Sequence, residues 1–287
     1  MMNNPSKSKI RFALFGTSHI AVYVLDALLS ADLVPALVVT VPNKPKGRGL
    51  EERPTAVESW ARAHGIEVAH DWKAFEASEW DVAVVVDYGK MLSRTVLDVP
   101  KKGFLNVHPS LLPRLRGPSP MRSAILHDER ETGVTVMLVD EEMDHGPVVA
   151  QKKVLIPDWP RKNSELEKLL VPEGGRLLAQ ILPEYVFGNI EPREQNHDLA
   201  TYSEKFSKND GLLDLKADPY QNLLKIKAFE GWPGTFAFFE RADKRIRVQI
   251  LEAHLDTRGA LVIDTVKPDG KKEMSYEDFL RSGARPL

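Results

Sequence analysis

The chain has 287 residues, a formal net charge of −2 and no cysteine. The lack of cysteine excludes disulfide bonds, thiolate catalysis and cysteine-based zinc sites, and the near-neutral charge excludes a generally basic coat for nucleic acid. No run approaches the roughly 18 apolar residues of a membrane-spanning helix, and the N-terminal MMNNPSKSK lacks the apolar core of a signal peptide. We therefore expect a cytoplasmic protein.

Apolar strand-like runs alternate with helix-like segments through the first two thirds of the chain. Strands are predicted at 10–16, 35–41, 66–70, 81–89, 103–108, 134–140 and 148–156. Helices are predicted at 19–31, 55–65, 118–128 and 165–189. This alternation predicts an α/β fold with a doubly wound, mostly parallel sheet. The turn after the first strand reads GTSHIA, so it lacks the glycine fingerprint of a dinucleotide site.

The remainder of the chain has a different pattern. The polar segment that follows Asn189 has little hydrophobic periodicity and is interpreted as a linker. A helix-like run at 219–230 then precedes three β-rich segments at 235–240, 245–253 and 260–266, which predict a small antiparallel barrel or sheet. The predicted division is a first domain at 1–190, a linker at 191–209 and a small β-rich domain at 210–287.

An amide, an imidazole and a carboxylate lie where predicted strands meet loops. Asn106 and His108 end one apolar run, and Asp144 follows another, TVMLVD, and precedes a Gly-Pro break. Strand ends carry the chemistry of α/β enzymes, and such a trio can orient an imidazole and stabilise an oxyanion. It suits acyl transfer without a covalent intermediate. Judged by spacing alone, a turn asparagine, a structural histidine and an Asx-turn aspartate remain the alternative.

These residues belong to a longer motif. NVHPSLLPRLRGPSP followed by TGVTVMLVDEEMDHGP resembles the signature of the folate-dependent formyltransferases. The resemblance implies a Rossmann-like formyltransferase domain, a catalytic triad of Asn106, His108 and Asp144, and 10-formyltetrahydrofolate as co-substrate without a metal. Asn106 and protonated His108 would then hold the oxyanion, while Asp144 would keep His108 charged and oriented.

Two loops are predicted to bind the folate. The SLLP loop matches the folate-site loop of the family, and the loop after the strand at 81–89 offers backbone groups and apolar side chains for the pterin. The predicted residues are Ser110, Leu111, Leu112 and Pro113 in the first loop and Tyr88, Gly89, Lys90, Met91 and Leu92 in the second.

Basic residues cluster in two places. A long loop, VPNKPKGRGLEERPTAV, follows the second strand, where such links usually have about 2–6 residues. Its KPKGRG stretch resembles the loop with which the methionyl-tRNA formyltransferases of this family grip the acceptor stem. The segment 101–122 adds five basic residues and no acidic one, a field that attracts anions. The residues predicted to bind tRNA are Lys44, Lys46, Arg48, Arg114 and Arg116.

The second half of the chain also resembles this subgroup, through ATYSEKFSKNDGLLDL, AFEGWPGTFAFFE and PDGKKEMSYEDFL. About two strands typical of the family are replaced by a short turn between Leu255 and Leu261, so we expect a reduced, OB-like domain. The resemblance implies an enzyme that formylates initiator methionyl-tRNA, and we expect it to be a monomer. The alternatives are a sugar-nucleotide N-formyltransferase and a non-catalytic RNA-binding protein on the same scaffold.

Overall fold

The computed structural model describes residues 10–42, 44–46 and 51–287. The described chain forms two compact units, and neither is one continuous stretch. The first unit comprises the described residues up to Arg116 together with Thr132–Leu155 and Lys168–Thr201; the second comprises Gly117–Glu131, Ile156–Glu167 and Tyr202–Leu287. The linear division at 190 and 210 stays a prediction.

The strands, in chain order, are β1 (Phe12–Gly16), β2 (Leu37–Val39), β3 (Lys44–Lys46), β4 (Glu51–Arg53), β5 (Glu67–Ala69), β6 (Val82–Val86), β7 (Phe104–His108), β8 (Thr132–Leu138), β9 (Val148–Val154), β10 (Thr235–Arg241), β11 (Lys244–Leu255), β12 (Leu261–Pro268), β13 (Met274–Ser275) and β14 (Arg285–Pro286). The α-helices are α1 (His19–Ser30), α2 (Ala56–Ala63), α3 (Lys73–Glu76), α4 (Arg94–Leu97), α5 (Pro120–Leu126), α6 (Asn163–Val186), α7 (Pro219–Ala228) and α8 (Tyr276–Arg281). Two 3₁₀ helices span His197–Leu199 and Lys208–Gly211.

The first unit is built on a seven-stranded sheet in the order β5-β2-β1-β6-β7-β8-β9. The first five strands of this order, β5, β2, β1, β6 and β7, are parallel to one another. Strand β8 runs antiparallel to both of its neighbours, β7 and β9. Strands β1 and β6 are almost continuously apolar because both their faces are buried, as is usual in parallel sheets. The predicted mostly parallel, doubly wound sheet is confirmed.

Close packing on glycine holds β8 against β9, and α6 against β7, the strand that carries Asn106 and His108. A Cβ atom on Gly133 of β8 would lie 2.2 Å from the carbonyl oxygen of Lys152 on β9. A Cβ atom on Gly174 of α6 would lie 2.5 Å from a methyl group of Val107 on β7. Both distances are shorter than van der Waals contact, so only glycine permits β8 to approach β9, and α6 to approach β7, this closely.

The long loop predicted after β2 contains secondary structure. Strands β3 and β4 pair antiparallel, with Lys44 opposite Arg53 and Lys46 opposite Glu51. Each strand has only three residues and β3 includes Pro45, so neither shows the alternation that predicts a strand.

The second unit contains a five-stranded antiparallel sheet in the order β13-β12-β11-β10-β14. Its inner face buries an apolar core that includes Phe239, Val248, Val266 and Phe279. A tight turn joins β11 to β12, and the Asp256 carboxylate accepts hydrogen bonds from backbone N–H groups within it. The predicted small antiparallel sheet is confirmed.

Among the helices of the described ranges, none is long and apolar enough to cross a membrane.

Candidate active site

The structure brings Asn106, His108 and Asp144 together. The Asn106 side-chain amide donates to Asp144, with 3.3 Å between Nδ2 and Oδ1. The Nδ1 atom of His108 lies 3.6 Å from Oδ2 of Asp144, an ion-pair distance when the ring is protonated. One carboxylate therefore faces both the amide and the imidazole.

The three residues meet because of the register between β7 and β8. Asn106 lies opposite Met137 on the antiparallel strand β8. Since β8 ends one residue later, at Leu138, the loop that follows it begins beside Asn106. Asp144 lies in this loop with a φ of 52°. Aspartate tolerates this left-handed conformation better than most residues, and here it turns the chain at the carboxylate that faces Asn106 and His108.

His108 is almost completely buried. Only 4% of the residue is exposed, and its Nε2 atom lies 3.0 Å from the carbonyl oxygen of Leu115. Because a carbonyl can only accept, Nε2 is the protonated nitrogen of this contact. A ring that is protonated at both nitrogens can therefore donate to Leu115 and face the Asp144 carboxylate with a second N–H.

A pocket of about 320 Å³ lies beside the triad. Asn106 and Asp144 both line it, so the amide and the carboxylate face the same space. Among the described residues, its lining does not include His108. All five residues predicted after β6 do line it: Tyr88, Gly89, Lys90, Met91 and Leu92.

Tyr88 is held in place at the wall of this pocket. The Thr17 hydroxyl donates to the backbone carbonyl of Tyr88 over 2.8 Å, and the Trp72 indole N–H donates to its phenolic oxygen over 3.1 Å. Burial raises the pKa of the Tyr88 phenol, against the opposing effect of the Trp72 hydrogen bond. The phenol therefore stays neutral near pH 7.

The other predicted folate loop occupies a different position. Among the described residues, the pocket lining does not include Ser110, Leu111, Leu112 or Pro113. The loop is instead tied to the sheet, because Leu112 accepts a hydrogen bond from Gln151 of β9 and donates one to Thr135 of β8. Folate contact by these four residues stays a prediction.

The predicted tRNA-binding residues are dispersed. Lys44 and Lys46 lie on β3, Arg114 is exposed, and Arg48 lies outside the described residues. Arg116 has an exposed fraction of only 2%, and its guanidinium donates to Gln195 and His197 within the protein. The Arg116 guanidinium thus makes these hydrogen bonds within the first unit.

Several residues of the site were not predicted. Met137, Val139, Asp140, Glu142 and Met143 also line the pocket. The last three are neighbours of Asp144 in the DEEMDHG stretch, so their closeness to the triad was a usable signal. Gln195 and Thr201, which contact the triad loops, lie in a polar segment without periodicity, and no sequence pattern indicates them.

In the part of the chain that the structure describes, no group of three or more histidine, aspartate or glutamate side chains is arranged to hold a metal ion.

An amide, an imidazole and a carboxylate grouped beside a pocket of an α/β sheet suit an acyl-transfer enzyme, and sequence comparison identifies the class. Residues 8–182 match the family described as Formyl transferase. The chain belongs to this family, so the resemblance seen in its motifs is confirmed.

The relatives make the comparison more specific. The methionyl-tRNA formyltransferase of Chloroflexus aurantiacus (strain J-10-fl) is 38% identical over 245 residues, which cover 83% of this chain and 79% of the relative. The methionyl-tRNA formyltransferase of Methylococcus capsulatus is 34% identical over 301 residues, covering 96% and 97% of the two chains.

Solved structures share the fold at low sequence identity. The N-formyltransferase of Helicobacter canadensis, in complex with folinic acid and dTDP-3-aminofucose, is 18% identical with a TM-score of 0.65, and the match covers 93% of this chain and 98% of that one. HypX of Aquifex aeolicus, in complex with tetrahydrofolic acid, is 16% identical with a TM-score of 0.65, over 95% of this chain and 47% of that one. At these identities the likeness shows the fold alone.

Proposed function

We propose that this protein transfers the formyl group of 10-formyltetrahydrofolate to the α-amine of initiator methionyl-tRNA, producing formylmethionyl-tRNA for translation initiation. The observation that carries the proposal is the pocket whose wall contains both Asn106 and Asp144. The relatives at 34–38% identity, which are methionyl-tRNA formyltransferases, support this choice of acceptor.

Asn106 is the oxyanion donor of the proposed reaction. When the amine attacks the formyl carbon, negative charge develops on the formyl oxygen. The Asn106 amide uses one N–H toward Asp144 and has a second N–H that can donate to this oxygen. The donor is fixed before the reaction begins, because Asn106 belongs to the paired strand β7.

Asp144 and His108 handle the proton of the attacking amine. Asp144 faces the pocket and accepts from Asn106, so its carboxylate lies within reach of an amine bound there. His108 lies behind Asp144 and stabilises its negative charge. Direct contact of His108 with the oxyanion requires it to exchange the Leu115 carbonyl for the substrate, and this role stays a prediction.

The pocket residues fit a pterin. Gly89 and its neighbours offer backbone donors and acceptors, and Met91, Leu92 and Met143 offer apolar surface for a flat ring. The formyl group of the co-substrate supplies the carbon that is transferred. As the new amide bond forms, the bond from this carbon to the folate nitrogen breaks, and the proton lost by the amine passes to that nitrogen, so that tetrahydrofolate leaves. The Asn106 amide and the Asp144 carboxylate, at the same wall, would face that carbon.

The acceptor RNA is proposed to contact the basic hairpin that holds Lys44 and Lys46, together with Arg48 and the exposed Arg114. We propose that the protein acts in the cytoplasm. We also propose that it acts as a monomer, because one chain supplies the whole triad and the pocket. Arg116 is not included among the RNA contacts, since its guanidinium is buried.

The test is a choice of acceptor. Purified protein is incubated with 10-formyltetrahydrofolate and either methionyl-tRNA or a dTDP-linked amino sugar, and formylated product is quantified by mass spectrometry. We expect formylmethionyl-tRNA as the product. We expect kcat/KM for the amino sugar to be lower by about 10³-fold or more, because the amino sugar cannot make the contacts that the RNA makes with the protein.

The Asp144→Asn variant is the matched control, because it keeps the side-chain volume and removes the carboxylate. Formylation of the amino sugar alone would establish the sugar N-formyltransferase alternative. Binding of methionyl-tRNA with no formylation of either acceptor would establish the non-catalytic RNA-binding alternative.

A further inference from the structure

Gln195 holds the loop that carries Asp144. Its side-chain amide nitrogen donates to the backbone carbonyl of Asp144 over 2.9 Å and to that of Gly146 over 2.8 Å. Gln195 is only 6% exposed, so water does not compete strongly for these bonds. The first bond is to the residue whose φ of 52° turns the loop, and the second is to the carbonyl two residues further on, so together they fix the backbone from which the Asp144 carboxylate projects.

Arg116 fixes the orientation of the Gln195 amide. Its Nε and a terminal nitrogen donate to the Gln195 amide oxygen over 3.1 and 2.7 Å. A guanidinium can only donate and the two loop carbonyls can only accept, so the amide satisfies all of these partners in one orientation alone. A reversed amide would place its nitrogen against Arg116 and its oxygen against two carbonyls.

Thr201 holds the residue that contacts His108. The Thr201 hydroxyl oxygen accepts from the Leu115 N–H over 2.9 Å, and the Thr201 carbonyl accepts from the Arg116 N–H over 2.9 Å. Leu115 has a φ of 56°, a left-handed conformation that a leucine keeps only where its surroundings enforce it. The Leu115 carbonyl is the group that faces Nε2 of His108, so Thr201 determines where this ring points.

His197, in the same short segment, is connected to the pocket wall through His145. Nδ1 of His197 lies 2.8 Å from Arg116 and must accept, because arginine has no acceptor. The His197 ring stacks on His145 with 4.1 Å between centroids and 9° between planes. His145 is hydrogen-bonded over 2.7 Å to Asp140, which lines the pocket.

We propose that residues 195–201 form a positioning element for catalysis, in which Gln195 aims Asp144 and Thr201 aims His108 through Leu115. The inference rests on the proposed function insofar as the triad performs formyl transfer. All of these contacts lie within the first unit, although the segment belongs to the stretch that the sequence predicts as a linker.

Two substitutions test the two halves of this element separately. Thr201→Val keeps the shape and the backbone bonds of Thr201 and removes only the acceptor for Leu115. Gln195→Met removes both loop contacts, and with them the acceptor of two Arg116 hydrogen bonds, with little change of volume. We expect each to lower kcat by about tenfold or more through misalignment of the triad, while KM for 10-formyltetrahydrofolate changes by less than about threefold. Thr201→Ser, which retains the hydroxyl, should recover kcat to within about twofold of the wild-type value.

The control is Thr235→Val in the second unit. Thr235 is 3% exposed and its hydroxyl donates to the Ile250 carbonyl over 2.7 Å, so its loss should lower the melting temperature and leave kcat unchanged. If Thr201→Val and Gln195→Met behaved like this control, losing only stability, the positioning role would be wrong. The same would follow if Thr201→Ser were as slow as Thr201→Val.

The wild-type protein separates this inference from the proposed function. If it formylates methionyl-tRNA, the variants test the positioning element alone. If it formylates only the amino sugar, the proposed acceptor is wrong, and the same kcat comparison is made with the sugar because the element acts on the triad and not on the acceptor.

Discussion

Asp144 is the residue on which the contacts of the site converge. Its carboxylate faces Asn106 and His108, and its backbone carbonyl accepts from Gln195. A displaced Asp144 would therefore change the surroundings of the amide and of the imidazole at once. Residues that act as such a unit give strongly non-additive effects when they are replaced.

The triad gives the first prediction at this scale. Asn106→Ala, His108→Ala and Asp144→Ala should each lower kcat by about 10²-fold or more, because in the proposed mechanism each removes an oxyanion donor or a group that handles the transferred proton. The double variant Asn106→Ala with Asp144→Ala should be little slower than the slower single variant. Steady-state formylation of methionyl-tRNA measures these effects.

Asn189→Ala is the matched control for the amide, because Asn189 is an exposed asparagine whose side chain contacts only Glu184 in the described contacts. It should leave kcat unchanged. Turnover near the wild-type value in His108→Ala would contradict the proposed mechanism.

The sequence predicts some residues of the site better than others. Asn106, His108 and Asp144 lie in motifs of fixed spacing at strand ends, where the residue types themselves indicate chemistry. Gln195 and Thr201 contact the same loops from 51 and 86 residues further along the chain. An amide and a hydroxyl in a polar segment have no periodicity, so only the folded structure identifies their partners.

At the scale of elements, the direction of a strand is harder to predict from the sequence than its position. Apolar runs predicted the positions of β7 and β8, and the alternation of strands and helices predicted a mostly parallel sheet without indicating which strands depart from it. The two strands are instead antiparallel, and the intervening helix α5 belongs to the second unit. An apolar run predicts burial but not direction, which depends on where the connection packs.

An ion-pair cluster between β9 and α6 gives a pH-dependent prediction. Hydrogen bonds from Lys152 and then Arg176 lower the pKa of the Glu173 carboxyl, against an opposing effect of burial. A carboxyl whose folded pKa lies below its unfolded value, about 4.3, stabilises the fold above that unfolded value and loses this contribution as pH falls through the folded pKa. Glu173→Gln should thus lower the melting temperature near pH 7 and have progressively less effect below about pH 4.

Thermal unfolding of both proteins between pH 3 and pH 7, run at constant ionic strength, measures this difference. Glu79→Gln is the control, since Glu79 forms an exposed pair with Lys101 at 3.3 Å and such pairs contribute little. A deficit of Glu173→Gln that stayed constant over the whole range would show that the charge of Glu173 does not account for it.

At the scale of the whole molecule, the order of elements was more predictable than their grouping. The antiparallel strands of the second unit follow from alternating apolar residues and turn signals. The structure adds Gly117–Glu131 and Ile156–Glu167 to that unit, which a pattern along the chain cannot indicate because it depends on long-range packing.

The basic hairpin gives the prediction that distinguishes an RNA acceptor from a small one. Replacing Lys44, Lys46 and Arg48 together by alanine should raise KM for methionyl-tRNA and leave KM for folate unchanged. Each phosphate contact that is lost should also reduce the slope of log KM against log salt by about 0.9. Titration of KM between 50 and 200 mM salt, with tRNA and folate varied separately, measures both quantities.

The double variant Lys271→Ala with Lys272→Ala is the control for loss of positive charge elsewhere on the surface, because these exposed lysines lie in the turn after β12 and outside the proposed RNA contacts. Equal salt slopes in the hairpin variant and the wild type would mean that the hairpin does not bind phosphate. If the hairpin variant instead raised KM for folate, the hairpin would bind the co-substrate, since folate also carries carboxylates that attract basic residues. We expect neither, because β3 follows β2, two strands away from β6, whose loop lines the pocket. A reduced slope with unchanged folate KM would support an RNA acceptor, because neutralising phosphates is what makes affinity depend this steeply on salt.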